Sequence, residues 1–360
     1  MDFGRNRAKI YSSLLELISQ GIPCSLTIVT GTYGSTPQKP GSAAIIGEAG
    51  LISGTIGGGA TENAVIQSAK ENIRVHQSQL FNFNLQNDIS VTNASICGGG
   101  MQILLDAQPE KSISVFQEIE SSNRARIPGV LITRSSDSGS GSIHIERHWI
   151  TSVHSTGFDT LKPEIASVVS ELLSDSGSGN CREFKPEKPE DGPAQTYFLE
   201  RIDPLPRLVI AGAGHICKAL SHLGKLLDFE VIVWDDRPEY ANPENLPEAD
   251  QILSGNVEEG FSEIELDANS YLVIVTRGHN QDAHVLKHFI GSAARYIGMI
   301  GSKRKIIQVR DKFLGEGWAT REQWDKIYTP VGLQINSQSV QEIAVSIAAQ
   351  LILVRGNANA

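Results

Sequence analysis

The chain has 360 residues, of which 40% are hydrophobic and 20% are charged, and its formal net charge is −10. This length predicts two domains, and the hydrophobic content is sufficient for a core in each. The acidic balance argues against a surface for nucleic acids or anionic membranes.

Cysteine usage and hydropathy predict a cytoplasmic protein. The four cysteines lie far apart without a CxxC pair, which argues against a disulfide framework or a zinc ribbon and favours a reducing compartment. No apolar run approaches the roughly 20 residues needed to span a bilayer. Residues 1–10 are polar and charged, which is not typical of a signal peptide. We therefore expect neither a membrane nor a nucleic-acid partner.

The first part of the chain is predicted to be an α/β domain with a mixed sheet. In chain order the patterns predict a helix over residues 10–18, a strand at 25–29, an apolar run at 43–46 and a strand at 51–56. They then predict a helix with Ala64, Val65, Ala69 and Ile73 on one face, strands at 101–105, 130–133 and 143–145, and a last strand at 197–202. Residues 135–142 are predicted to form a mobile hairpin loop and residues 174–195 a flexible linker. The segment Asp203-Pro204-Leu205-Pro206 marks the boundary, which gives domains of residues 1–203 and 204–360.

The second part alternates between strand and helix patterns. Strands are predicted at 208–211, 231–234, 272–276 and 296–300 and near Tyr328, with helices beginning near Ile216, Asp282, Ser302 and Ser339. This alternation predicts a Rossmann-like, doubly wound parallel sheet. Residues 339–342 (SVQE) match the capping box that begins a helix.

A glycine-rich turn directly follows the first strand of the second part. It is the run Gly212-Ala213-Gly214-His215-Ile216-Cys217. Gly212 permits a tight turn, and Gly214 lets the backbone approach a phosphate at the helix N-terminus. Cys217 replaces the third glycine of the dinucleotide fingerprint. The turn favours a nucleotide-type ligand, and a Rossmann fold that has lost its ligand is the alternative.

Polar residues also follow the next strands. Asp235 and Asp236 lie about 20 residues beyond the turn, where an acid is expected to hold a ribose hydroxyl. Arg277-Gly278-His279 follows the strand at 272–276, and His279 is suited to titrate or to polarise a ligand. An ordinary exposed loop histidine is an equally good interpretation.

A third polar segment is Gly301-Ser302-Lys303-Arg304-Lys305. Ser302 is predicted to cap the helix, so three cations lie in the first helical turn, where they oppose the helix dipole. A bound phosphate or other anion would resolve that conflict. The alternative is a solvated basic face.

Two glycine runs stand out in the first part. Gly57-Gly58-Gly59 opens a helix and is a potential backbone site for an anion, with Glu62 in the first turn; glycines needed only for packing are the alternative. The second run is Cys97-Gly98-Gly99-Gly100, in which the cysteine is a candidate for contact with a metal, sulfur or an oxyanion. Its chemistry alone favours the alternative, a small buried residue.

His284 and His288 are interpreted as part of a helix face and not as a metal site.

These motifs together resemble the XdhC/CoxI family of xanthine dehydrogenase accessory proteins. The resemblance rests on residues 34–41 (GSTPQKPG), 54–62 (GTIGGGATE), 97–99 (CGG), 212–215 (GAGH), 235–238 (DDRP), 276–279 (TRGH), 296–305 (YIGMIGSKRK) and 330–333 (PVGL). The chain departs from the family pattern at Cys217, where a small glycine-like residue is usual, and at Gln38, where arginine is common.

The resemblance implies a maturation factor and not an enzyme. Such proteins bind the molybdenum cofactor (molybdopterin), shield it, assist its sulfuration with a cysteine desulfurase, and deliver it to an apo xanthine dehydrogenase or related molybdenum hydroxylase. A homodimer is also expected.

On this interpretation the cofactor lies between the Rossmann crevice and the glycine loops of the first domain. The residues expected to bind it are Gly57, Gly58, Gly59, Cys97, Gly98, Gly99, Gly212, Gly214, His215, Asp235, Asp236, Arg237, Arg277, Gly278, His279, Ser302 and Lys303. Cys97 is the sole candidate for a contact to molybdenum. Two alternatives stay open: an NAD(P)-dependent oxidoreductase with His279 as the proton-transfer residue, and a scaffold whose Rossmann unit is empty.

Overall fold

The computed structural model describes residues 7–85, 99–137, 139, 142–174, 180–186 and 193–357. The chain divides into two compact units, Met1–Pro204 and Leu205–Ala360. The boundary predicted from the sequence, after residue 203, lies one residue before this division. No helix within the described residues is both long enough and apolar enough to cross a membrane.

The first unit is built on two antiparallel sheets. Its helices and strands are α1 (Arg7–Ser19), β1 (Cys24–Tyr33), β2 (Ala43–Gly47), β3 (Gly50–Gly54), α2 (Gly59–Val75), β4 (Gln79–Asn84), β5 (Gly100–Asp106), α3 (Ile113–Arg124), β6 (Gly129–Asp137), β7 (Ile143–Ile150), α4 (Pro163–Ser174), β8 (Cys181–Phe184) and β9 (Ala194–Ile202). The strand orders are β3-β2-β1-β5-β4 and β7-β6-β9-β8. The predicted α/β class is confirmed, but the described strand pairs of this unit are all antiparallel instead of mixed.

Helix α2 covers one face of the first sheet. It buries Thr61, Val65, Ala69 and Ile73, which recur every four residues and pack toward the strands. Ala64 was predicted on this face and is exposed. It lies one residue before Val65, which is about 100° around the helix.

Two segments predicted as loops contain strand residues. Strand β6 continues to Asp137, which pairs with Ile143 on one side and Ala194 on the other. The predicted linker contains β8 and the start of β9, while residues 175–179 and 187–192 lie outside the described residues. Edge strands such as β8 are commonly short and polar, which is why their composition resembles that of a loop.

The second unit is a doubly wound parallel sheet, as predicted. Its elements are β10 (Arg207–Ala211), α5 (His215–Leu226), β11 (Glu230–Asp235), β12 (Gln251–Ser254), α6 (Val257–Gly260), β13 (Ser270–Ile274), α7 (His279–Phe289), β14 (Tyr296–Met299), α8 (Lys303–Gly315), α9 (Arg321–Asp325) and α10 (Val340–Asn357). The strand order is β12-β11-β10-β13-β14, with all pairs parallel. The strand predicted near Tyr328 is a single parallel bridge to Gly298.

Both faces of this sheet are buried. Val209 of β10 packs into the core on the side of α7 and α8, and Leu208 and Ile210 pack into the core on the side of α5 and α10. Burial on both faces explains why these strands are continuous apolar runs. The predicted capping box of α10 is also confirmed, since Glu342 and Ser339 each accept a hydrogen bond from the other's backbone N–H, at 2.9 and 3.3 Å respectively.

Candidate functional site

The centre of the parallel sheet is a topological switch point. Strands β10 and β13 are neighbours, but the helix after β10 packs on one face of the sheet and the helix after β13 on the other. The loops beyond the two strands stay adjacent, because Val275 N–H donates to the carbonyl of Ala211 at 2.8 Å. Ligands of open α/β sheets bind in the crevice at this position.

The two glycines of the first loop have different surroundings. Gly212 has φ +113°, and a Cβ added there would lie 2.5 Å from the carbonyl oxygen of Val275. Gly214 caps α5 with φ −81°, and an added Cβ would have nothing within 4 Å. Gly212 therefore allows two backbone segments to pack closely, whereas Gly214 faces open space at the N-terminus of α5.

The loop after β13 contains a glycine in surroundings like those of Gly214. Gly278 caps α7, and a Cβ added there would also have nothing within 4 Å. Because both caps are glycines, neither has a side chain that could accept from the helix N–H groups. The N-terminal backbone N–H groups of two long helices are thus directed to one edge of the sheet, a setting that favours a bound anion.

Asp235, expected to accept a hydrogen bond from a ligand hydroxyl, has protein partners. Its side chain is 3% exposed and accepts from the backbone N–H of Ala213 at 2.8 Å. It also accepts from the Nε and Nη2 atoms of Arg237 at 2.8 and 3.0 Å. Burial alone would raise the pKa of Asp235, but the hydrogen bonds from Arg237 and Ala213 hold the pKa below its ordinary value. A ligand hydroxyl would have to displace Arg237 to reach this carboxylate.

Asp236 and Arg277 form a second, more accessible pair. Arg277 Nη2 lies 3.0 Å from Asp236 Oδ2, and the arginine side chain is 59% exposed. Exposed ion pairs of this kind contribute little to stability. Arg277 is therefore available to move toward an anionic ligand, whereas Arg237 is held by Asp235 and by the ring of Tyr240, 3.9 Å from its guanidinium.

Asp282 holds the loop at Thr276 in place by hydrogen bonds. From the sequence, Asp282 was predicted only as the beginning of a helix and not as a residue of the site. It is fully buried and accepts hydrogen bonds from the backbone N–H and the hydroxyl of Thr276, at 3.0 and 2.6 Å. Its other oxygen forms an ion pair with Lys305. A signal was present in the sequence, because Asp282 precedes the buried Val285, Leu286 and Phe289 at helical spacing.

The positive charge in the first turn of α8 is thus partly neutralised by a carboxylate of the same unit. Lys305 has Asp282 as its partner, while Lys303 and Arg304 are exposed. Ser302 caps the helix as predicted, accepting from the backbone N–H of Lys305 at 3.4 Å. Two of the three cations in this turn still face solvent at the carboxyl edge of the sheet.

The two predicted site histidines occupy equivalent positions. His215 is the first residue of α5 and His279 the first residue of α7, and both are exposed. Neither side chain makes a hydrogen bond or ion pair within the part of the chain that the structure describes. Both side chains are therefore accessible beside the open glycines that cap their helices.

In the first unit, the glycine turn before α2 already holds an anion, the carboxylate of Glu62. It accepts from the Thr55 hydroxyl at 2.6 Å and from the backbone N–H of Ile56 at 2.9 Å. Burial alone would raise the pKa of Glu62, but these bonds and those from the N–H groups of Gly58 and Gly57 hold it below its ordinary value. An external anion would compete with this internal carboxylate.

We expect Glu62→Gln to destabilise the first unit by about 1 kcal/mol at pH 7, since a charged acceptor of several hydrogen bonds is lost. A carboxyl group whose pKa is lowered by folding stabilises above its unfolded pKa, and this contribution disappears as the pH falls through the folded pKa. The difference from the wild type should therefore shrink as the pH falls below about 4.3, the ordinary pKa of glutamate. Urea denaturation at pH 7 and pH 3.5 would test this. A difference as large at pH 3.5 as at pH 7 would contradict the assignment.

The other glycine run of the first unit is only partly described. Cys97 and Gly98 lie outside the described residues. A Cβ added to Gly99 would lie 2.3 Å from the carbonyl oxygen of Tyr33. Gly99 is therefore required by close packing against the end of β1.

No group of three or more His, Cys, Asp or Glu side chains able to hold a metal ion occurs in the described ranges. The thiol of Cys217 is buried against the parallel sheet, and this burial raises its pKa to about 12. Cys217 is thus a small core residue that fits where the fingerprint has its third glycine.

Comparison with known proteins assigns both units to one family. Residues 208–351 match the family model of the XdhC Rossmann domain, and residues 17–84 match that of the XdhC and CoxI family. Over 158 residues, 44% of this chain, the protein is 34% identical to a probable xanthine dehydrogenase subunit from Bacillus subtilis. It is also 30% identical over 168 residues to the uncharacterized protein YqeB from Escherichia coli. The matched regions span 46% and 30% of these relatives' own lengths.

Among solved structures, a protein described as a xanthine dehydrogenase from Bacillus halodurans has a similar fold. The TM-score is 0.75 with 21% identity, over 98% of this chain and 96% of that one. This likeness supports the α/β architecture of both units. The two family matches confirm the resemblance inferred from the motifs: the chain belongs to the XdhC and CoxI family.

Proposed function

We propose that this protein is an accessory factor that binds the molybdenum cofactor, shields it, assists its sulfuration and delivers it to a xanthine dehydrogenase-type molybdenum hydroxylase. Membership of the family supports an association with such an enzyme. The proposed partners are the apo hydroxylase, a cysteine desulfurase and a second copy of the chain.

The observation that carries the proposal is the pair of helix N-termini at the switch point of the parallel sheet. Gly214 and Gly278 cap these helices, and a Cβ added to either glycine would have nothing within 4 Å. Molybdopterin bears a phosphate, and helix N-termini of this kind favour a bound phosphate. Arg277, His279 and Lys303 would add polar or positive contacts from the same edge of the sheet.

The cofactor would supply the oxidisable dithiolene and the metal, while this chain would bind and shield them. Side chains of the described residues offer no metal-binding cluster of their own. In this proposal the protein therefore holds the cofactor through its phosphate and organic part. The backbone N–H groups after Gly214 and Gly278 orient that phosphate.

We expect Gly214→Val and Gly278→Val each to reduce molybdenum and pterin content at least tenfold. A valine side chain would fill the space beside the helix N-terminus, and both glycines have φ values that valine can adopt. The measurement is molybdenum and pterin per chain, in protein purified without oxygen from a host that makes the cofactor.

The matched control is Gly315→Val. Gly315 also has nothing within 4 Å of an added Cβ, but it is the last residue of α8, away from the carboxyl edge. This variant should retain the wild-type content. Absence of molybdenum and pterin from the wild type, even after incubation with free cofactor, would contradict the proposal.

An NAD(P)-dependent oxidoreductase is the second candidate, because the strand order and the glycine turn are those of a dinucleotide site. The carboxylate of Asp235 counts against it, since Arg237 and Ala213 already donate to both of its oxygens. Saturable oxidation of NADH by the purified protein would favour this function over the first.

A further inference from the structure

The first unit contains a cavity of its own. Its volume is about 340 Å³, a size typical of small-molecule sites. The residues that matter to the argument line it from four strands or their ends: Gly31, Tyr33, Asn82, Gln102, Glu183 and Lys185. None of them was singled out by the sequence motifs.

A β-bulge shapes one side of the cavity. The pairing of β1 with β5 shifts between Val29 and Gly31, so Thr30 is an extra residue in β1. The Thr30 hydroxyl lies 3.2 Å from Gln102 Oε1 and donates to it. Bulges are common beside functional sites, where they re-aim a side chain.

This hydrogen bond determines which atoms of the Gln102 and Asn82 carboxamides donate and which accept. With its oxygen occupied by Thr30, Gln102 donates through Nε2 to Asn82 Oδ1 at 3.0 Å. The oxygen of the Asn82 amide is thus occupied by Gln102, which leaves the NH₂ group of Asn82 as the part suited to bind a ligand. The Asn82 and Gln102 side of the cavity therefore presents hydrogen-bond donors.

The opposite side presents an acceptor. Glu183 Oε1 is 2.9 Å from Lys185 Nζ. Glu183 Oε2 lies over Gly31, 3.4 Å from where a Cβ would be. Since Gly31 has no side chain, the Glu183 carboxylate can pack directly over the backbone of β1. Tyr33, 60% exposed and packed on Gly100, adds an aromatic ring beside it.

A cavity with amide donors on one side and a carboxylate on the other matches a ring with a lactam carbonyl and an amidine. We propose that this cavity binds such a ring, the group shared by pterins and guanine. Glu183 accepts from the ring N–H and amino groups, and Asn82 and Gln102 donate to the carbonyl. This inference rests on the proposed function in one respect, because the cofactor proposed there contains such a ring.

The test is a fluorescence titration of the full chain with neopterin, with GMP and IMP as competitors. Glu183→Gln keeps the size of the side chain but removes its charge, so neopterin should bind at least tenfold more weakly. The matched control Glu71→Gln, an exposed residue of α2, should bind as the wild type does. IMP lacks the amino group of GMP and should compete more weakly.

Asn82→Leu provides a second, independent variant and should also weaken binding. Failure of the wild type to bind either neopterin or GMP would overturn the inference, as would unchanged binding by Glu183→Gln or equal competition by GMP and IMP. Tighter binding of neopterin than of GMP would identify a pterin as the natural ligand, and the reverse would identify a guanine nucleotide.

Molybdenum content separates this inference from the proposed function. Molybdenum retained by the wild type without neopterin or GMP binding would overturn the cavity assignment alone. Glu183-dependent neopterin or GMP binding by a protein that takes up no molybdenum would support the cavity and contradict the accessory role.

Discussion

Replacement of Asp282 by alanine is expected to destabilise the second unit by about 3 kcal/mol. The carboxylate is fully buried, and its removal would leave Lys305 and the backbone N–H of Thr276 without their partner. Breaking one half of a buried charge pair costs more than the pair contributes, because the remaining charge stays desolvated. Urea denaturation followed by tryptophan fluorescence would measure the change, since Trp234, Trp318 and Trp324 lie in this unit.

Two further variants make this experiment specific. Asp311→Ala removes an exposed carboxylate that is paired with Arg310, and should change stability by less than about 0.5 kcal/mol. The double variant Asp282→Ala/Lys305→Met should recover part of the loss, because it leaves no unpaired buried charge. If Asp282→Ala unfolds at the same urea concentration as the wild type, the buried network does not hold the Thr276 loop.

Gly212→Ala is the second change with a large expected effect, a loss of about 3 kcal/mol. An L-residue at φ +113° is strained by about 1–2 kcal/mol, and the added Cβ would collide with the Val275 carbonyl, which adds a similar overpacking cost. Gly214→Ala is the matched control and should cost no more than about 1 kcal/mol, since its φ is ordinary and the space is open. Thermal unfolding of the second unit would compare them.

Equal losses for the two glycine variants would contradict this division of roles. The expected pattern is that Gly212 supports the fold and Gly214 leaves space for the ligand. The sequence predicted a tight turn at Gly212 and a phosphate contact at Gly214, but it also placed both glycines among the ligand-binding residues, because a fingerprint shows spacing and not what lies beside each residue.

Much of the second unit was predictable from its sequence. Its strands are buried on both faces, so they stand out as apolar runs, and glycine or a capping serine marks where each following helix begins. The edge strand β12 was missed, since two of its four residues are exposed. In the first unit, β8 was missed for a similar reason, since its sequence is polar.

Hydropathy periods and local turn chemistry were enough to predict the two-unit α/β organisation, the parallel sheet and the order of motifs that identifies the family. Both signals act within one helix, strand or turn at a time. Other features became visible only in the folded chain: the open space beside Gly214, the hydrogen bonds from Arg237 to Asp235, those that Glu62 accepts at the glycine turn before α2, and the cavity that Gly31, Asn82 and Glu183 line. Which residues contact one another in these features is settled only when the chain folds. The separation of such residues along the sequence follows no regular period.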